Sequence, residues 1–186
     1  MDRMSLLDPV KGLTLIELMV VLVVLAVALS AGVPAMQTLL QNNRMRTEAS
    51  RLLGAINLAR SEAVMRNSTV SLCPSPMAFS GEAVCSGVYA DGWIVFANAD
   101  RDRVVDSGTD NVLKVFAGLP GGYTLSNRTG TAAASALINY LPDGSSHRNR
   151  TLLLCSPAAA VASLSIVINI VGRPRLARNW GECVPA

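Results

Sequence analysis

The stretch KGLTLIELMVVLVVLAVALSAGVP, residues 11–34, sets a single carboxylate, Glu17, at the head of an apolar run in which Leu18 to Val33 carry no charge. The run is long enough to cross a bilayer, which takes roughly 20 predominantly apolar residues. A charged group in mid-membrane costs on the order of 3 kcal/mol on the mild insertion scales, so Glu17 needs a cationic partner. Within the chain the nearby cations are Lys11 and the α-amino group that a cut after Gly12 would create on Leu13. A secretory signal does not account for the pattern. Its apolar core spans about 7 to 15 residues before a small-residue cleavage site, whereas this run reaches Val33 and continues into helix-forming sequence.

KGLTLIEL resembles the class III signal of type IV pilins and type II secretion pseudopilins: a basic leader ending in Gly, then a hydrophobic residue, Thr, Leu, Ile and Glu. The resemblance implies that a prepilin peptidase cuts after Gly12 and methylates Leu13, and that the apolar segment stays on the protein. It also gives Glu17 an intermolecular partner, the terminal amine of a neighbouring subunit, as helices pack into a filament. Leu13 stands where Phe is usual. Pro34 falls where pilin helices commonly bend, since proline removes a helix hydrogen bond and crowds the preceding turn. The implied location is the bacterial inner membrane, single-pass with the head in the periplasm, and then a pilus or pseudopilus.

Composition agrees with one terminal membrane element and one further domain. The chain has 186 residues, 51% of them hydrophobic, and a net charge of +3; a domain of roughly 100 to 150 residues is of ordinary size. After Pro34 no segment suits a second span, because ALINYLPDG and VASLSIVINIVG are short and flanked by turn residues. Cys73, Cys85, Cys155 and Cys183 lie beyond the membrane segment, and an even count there suits two disulfides in an oxidising compartment. Zinc is the weaker reading, since the spacings are twelve and twenty-eight and the one histidine, His147, sits in no paired motif. Cys73 and Cys85 bracket a short loop, while Cys155 ends one strand and Cys183 lies beyond another, so the expected pairs are Cys73–Cys85 and Cys155–Cys183.

Beyond Pro34 the pattern turns amphipathic. Leu39, Leu40, Ala49, Leu52, Leu53, Ile56, Ala59 and Ala63 recur at three- and four-residue steps, with Arg44, Arg46, Arg51, Arg60 and Arg66 between them. One helix is expected to continue to about Asn67. STVSLCPS, GWIVFAN, NVLKVFAG, YTLSN, ALINYLPDG, TLLLCSP and SLSIVINIVGRPRL then read as short strands separated by turn residues. The expected fold is α+β, a long pilin helix packed on an antiparallel β-sandwich head. Its divisions are a leader at 1–12, a membrane or filament-core helix at 13–34, an amphipathic half-helix at 35–67, and a β-rich head with a basic tail at 68–186. RSEAVMRN and the Gly-Trp strand with its acidic loop resemble the GspH/FimT branch of the pilin-like proteins.

In that loop Asp100, Asp102, Asp106 and Asp110 could offer oxygens to Ca²⁺. Arg101 and Arg103 alternate with them, and the loop lacks the glycine and terminal Glu of an EF-hand, so a solvated hairpin turn and no metal are expected. No nucleophile elbow or phosphate loop is present, and neither an enzyme nor a cofactor is expected.

Basic charge gathers at the end of the chain. Residues 144–186 hold five arginines, Arg148, Arg150, Arg173, Arg175 and Arg178, against Glu182, a balance of five minus one, or +4. The planar fork of arginine suits phosphate oxygens. GRPR resembles the Gly-Arg-any-Arg pattern near the C-terminus of FimT-type minor pilins that bind DNA during natural transformation, which carries over to Gly172, Arg173 and Arg175; Arg178, Arg148 and Arg150 are added from charge alone. Trp180 suits either stacking on a base or covering the core beside Cys183. The implied partners are other pilin subunits through the N-terminal helix, the prepilin peptidase, the inner membrane before assembly, and the phosphate backbone of double-stranded DNA. The alternative is a structural FimU-like or GspH-like subunit that initiates a pilus or pseudopilus without binding DNA.

Overall fold

The structure is a computed structural model that describes residues 12, 14–158 and 161–183. It divides into two units, one ending at Leu39 and one beginning at Leu40. Helix α1 spans Leu15–Arg66 and continues through Pro34. In the first unit its large apolar side chains, Leu15 to Leu39, are exposed, and the helix is long and apolar enough to cross a membrane. Thr38 Oγ1 donates to Pro34 O at 3.1 Å.

In the second unit the helix buries Met45, Ala49, Leu52, Ala55, Ile56, Ala59 and Ala63. The three- and four-residue steps keep these on one stripe. Leu39 and Leu40 were expected on that stripe but stand about half exposed, at 54% and 49%.

Among the described residues eight strands follow: β1 (Val70–Pro74), β2 (Gly92–Ala97), β3 (Asn111–Ala117), β4 (Thr124–Ser126), β5 (Ile138–Tyr140), β6 (Arg150–Cys155), β7 (Leu164–Ile168) and β8 (Pro174–Arg178); a short helix, α2 (Met77–Ser80), lies between β1 and β2. They form two four-stranded sheets, ordered β3-β2-β1-β5 and β4-β6-β7-β8, with every pairing antiparallel. The helix and both sheets share one apolar cluster that includes Ile56, Ala59, Leu72, Trp93, Leu125, Leu154 and Ile166. Ile94, Phe96 and Cys73 form a smaller cluster on the other face of the first sheet. An antiparallel β-rich head packed with a long helix is therefore what the chain forms.

The final apolar run is two strands rather than one. It folds back between Ile168 and Pro174, so that Ile168 opposes Pro174, Val167 opposes Arg175 and Leu164 opposes Arg178. Disulfides join Cys73 to Cys85 and Cys155 to Cys183. The second ties the segment beyond β8 to the end of β6.

Candidate functional site

At the head of α1, the Thr14 side-chain oxygen accepts the Glu17 N–H at 3.3 Å and the Thr14 carbonyl accepts the Leu18 N–H at 3.1 Å. Thr14 is thus the helix N-cap, with Glu17 three residues on, the spacing of a capping box. A carboxylate in the first turn is also favoured by the helix dipole. The spacing of the threonine and glutamate held this signal from the start, and it gives Glu17 a local role beside an intermolecular one. Gly12 is exposed, while Leu13 and residues 1–11 lie outside the described residues.

The tail arginines fall into groups. Gly172 turns the chain into β8 with φ +80, and a Cβ on it would stand 2.0 Å from the Gly144 carbonyl oxygen. Only glycine fits both the dihedral and the contact. The turn is fastened to the preceding loop: Gly172 N–H donates to Asn169 O and Ser146 N–H to Ile170 O. Arg173 N–H reaches Asn169 Oδ1 at 3.0 Å, and Ile170 N–H reaches Asn149 Oδ1 at 2.7 Å. These bonds bring the loop bearing Arg148 beside the turn that precedes Arg173.

Along β8, successive side chains alternate between faces. Leu176 and Arg178 share the face of Ile166 and Leu164, which belong to the core, while Arg175 shares the outer face with Val167. Arg178 lines a small cleft with Asn42, Met45 and Arg46. Arg175 and Arg178 therefore point to opposite sides and cannot grip one phosphate together.

Arg150 is half-buried, and its Nη2 donates to Leu137 O at 3.2 Å. With Arg103, His147 and Arg148 it lines a cleft of about 300 Å³. Arg103 Nη2 donates to Ser135 O at 3.0 Å. Burial pushes the Tyr89 hydroxyl far above its ordinary pKa, and the charges of Arg150 and Arg103 partly oppose that rise. Tyr89 thus stays a neutral donor, its hydroxyl 2.9 Å from Leu72 O and 3.0 Å from Ala136 O.

Arg128, in the turn after β4, was not singled out in the sequence. Its guanidinium lies over the Trp180 ring, 4.8 Å from the centroid, and the Arg175 guanidinium is 5.9 Å from the same centroid. Trp180 is 42% exposed, so it does not serve as a core cover. Among the described residues, ion pairs join Arg51 to Glu48 and Arg66 to Glu62, and none involves a tail arginine.

In the acidic loop, carboxylate oxygens of Asp100, Asp102 and Asp106 come within 4.8 Å of one another. The arginines that alternate with them in sequence are bonded elsewhere, Arg101 Nε to Thr69 Oγ1 at 3.3 Å and Arg103 to Ser135. Burial raises the Asp110 pKa, an effect the neighbouring aspartates reinforce and the Asp106 backbone N–H opposes.

Residues 48–172, 125 of the 186, match the family described as Type II transport protein GspH. The chain belongs to the GspH family. Residues 9–33 of this GspH-family chain also match the prokaryotic N-terminal methylation motif. In fold it is similar to the crystal structure of the type IV minor pilin FimU of Pseudomonas aeruginosa, with TM-score 0.53 and 15% identity over 76% of this chain and 96% of that one. The minor pseudopilin EpsH from the Type 2 Secretion System of Vibrio cholerae matches with TM-score 0.46 and 13% identity over 73% of this chain and 97% of that one. Comparison with curated protein sequences gives no match. The GspH-family chain is a pilin-like assembly subunit and not an enzyme.

Proposed function

We propose that this GspH-family protein is a minor type IV pilin that captures DNA through its tail, for natural transformation. The observation that carries the reading is a pair of arginines, Arg173 and Arg175, exposed on an edge hairpin and paired with no acid among the described residues. They follow a glycine that the turn requires. Contacts confined to phosphates grip DNA with little sequence preference. Arg148 beside the turn adds to this surface, and Arg150 and Arg178 would extend the field from neighbouring clefts.

Assembly follows from the N-terminal element. The prepilin peptidase cuts after Gly12 and methylates Leu13, the helix holds the protein in the inner membrane with its head in the periplasm, and Glu17 neutralises a neighbour's terminal amine as subunits enter the filament. Intact mass of membrane-extracted protein should show loss of residues 1–12 and one added methyl group. Retention of the leader in cells with an active peptidase would overturn this part of the reading.

DNA capture is tested with the unit from residue 40 onward, whose apolar clusters all lie between Met45 and Ile168. It should bind duplexes of unrelated sequence with similar affinities, roughly 10⁻⁴ to 10⁻⁶ M. Arg173→Ala with Arg175→Ala should flatten the slope of log affinity against log salt by about 1.8, two contacts at about 0.9 each. No binding in low salt, or a double mutant that binds as well as wild type, would leave a second reading, which the family description Type II transport favours. In that reading the subunit initiates a pilus or secretion pseudopilus and its arginines touch neighbouring subunits.

A further inference from the structure

The outer face of the β4-β6-β7-β8 sheet carries a cluster assembled from distant parts of the chain. The backbone around Trp180 is fixed from several directions. Ser165 Oγ donates to the Trp180 carbonyl at 2.9 Å, Asn179 N–H donates to Ser163 O at 3.2 Å, and Cys183 is bonded to Cys155. At Gly181, φ is +152 and a Cβ would stand 2.7 Å from the Arg128 carbonyl oxygen. That close approach seats the turn bearing Arg128 against the tail.

A guanidinium held over an indole is attracted through its charge and flat face. Its N–H donors lie in its plane and stay free at the rim, where they fit phosphate oxygens. Arg128 and Arg175 both meet this description on one ring, and neither pairs with an acid among the described residues. Arg128 and Trp180 also line an open cleft of about 420 Å³, and Arg128 and Arg150 line another of about 350 Å³ with Asn149. Arg128 thus bridges the tail arginine to the Arg148–Arg150 loop. Among the described residues that line the first cleft, Glu182 is the one acid.

We propose that Arg128, Trp180 and Arg175 form a phosphate clamp in which both arginines contact the nucleic-acid backbone and Trp180 is the positioning residue that holds them. The clamp rests on the DNA-capture reading and adds to it a contact that the GRPR motif does not contain. Holding the arginines in place before DNA arrives lowers the ordering penalty on binding.

The test uses the full chain in non-ionic detergent micelles, with a blunt-ended DNA duplex titrated across a salt series. Arg128→Ala should reduce the salt slope by about 0.9, as Arg175→Ala does, and Arg44→Ala, on the exposed face of the helix, should leave it unchanged. Trp180→Leu should weaken binding about tenfold, the scale of ordering one or two long side chains. Trp180→Phe should restore it, because a ring is again present. Both substitutions keep the residue 180 carbonyl and the disulfide, so circular dichroism should match wild type. An unchanged slope in Arg128→Ala, or wild-type affinity in Trp180→Leu, would overturn the clamp while the tail reading stands. Absence of any wild-type binding would overturn the tail reading and the clamp with it.

Discussion

The two ends of this chain are built in different ways. The N-terminal element is linear: Gly12, Thr14 and Glu17 lie close together in the sequence, and the Thr14 cap joins residues three apart. The C-terminal surface is assembled. Gly172 is required by Gly144, Arg175 meets Trp180, and Arg128 arrives from 47 residues before Arg175 (175 − 128). A spacing motif is read from a string of letters, whereas a surface depends on which strands become neighbours.

The largest expected effect tests the linear end. Glu17→Ala should still insert, since it removes a charge from an apolar segment, yet it should abolish recovery of the protein in sheared filaments because its intermolecular partner is lost. Glu17→Gln sharpens the point. It keeps a polar side chain but no charge, so assembly by this variant at wild-type level would show that capping geometry, and not neutralisation of an amine, is what the motif supplies.

Much of the helix and the positions of the strands were legible, because both follow from short-range periodicity. The stripe from Ala49 to Ala63 is read at three- and four-residue steps, and β1 to β5 and β7 each lie within a run bounded by turn residues. Other features were not legible. The last run hides a hairpin, because its turn depends on the contact of Gly172 with Gly144 and on Asn169 accepting two bonds. The opposite facing of Arg175 and Arg178 follows from a pairing register with β7, which is set by burial of Leu164, Ile166 and Ile168. Arg128 carried no signal at all. The bonds that Arg101 makes to Thr69 and Arg103 to Ser135 join residues about 32 positions apart and likewise could not be read from the string.

The next effect concerns the assembled end. Cys155→Ser with Cys183→Ser opens a loop of 28 residues, which should lower stability by about 3 kcal/mol and the melting midpoint by roughly 10 °C. The same variant should weaken DNA binding, because the segment that carries Trp180 loses its tether. Opening Cys73–Cys85, a loop of 12 residues, should destabilise by a similar amount and leave DNA affinity unchanged in the folded protein. Equal losses of affinity in the two variants would mean that the tether has no specific role.

Gly172→Ala should cost about 2 kcal/mol, from the left-handed dihedral and the clash with Gly144 together. Every arginine remains in this variant. If it binds DNA with the wild-type salt slope and affinity, the placement of Arg173 by the turn is unimportant and the tail acts as a loose charge; a weakened affinity with the fold intact would show that the surface is read as a shape.

The smallest effect lies in the acidic loop, where no assembly or binding role is assigned. Burial and the neighbouring aspartates raise the Asp110 pKa above its ordinary value. Protonation of this group is therefore easier in the folded state than in the unfolded chain. The stability it contributes is present below the unfolded pKa and is lost as pH rises through the folded one. At neutral pH the ionised carboxylate is thus a small liability, and its Oδ1 is buried without a hydrogen-bond partner. Asp110→Asn keeps an acceptor for the Asp106 N–H, which Asp110 Oδ2 takes at 3.2 Å, and supplies a donor in place of the charge. The variant should melt slightly higher than wild type at pH 7, and the difference should shrink as the pH falls through the carboxylate range. A gap that stays constant with pH would assign the effect to packing, and a lower melting point at pH 7 would show that the Asp110 charge is satisfied in solution.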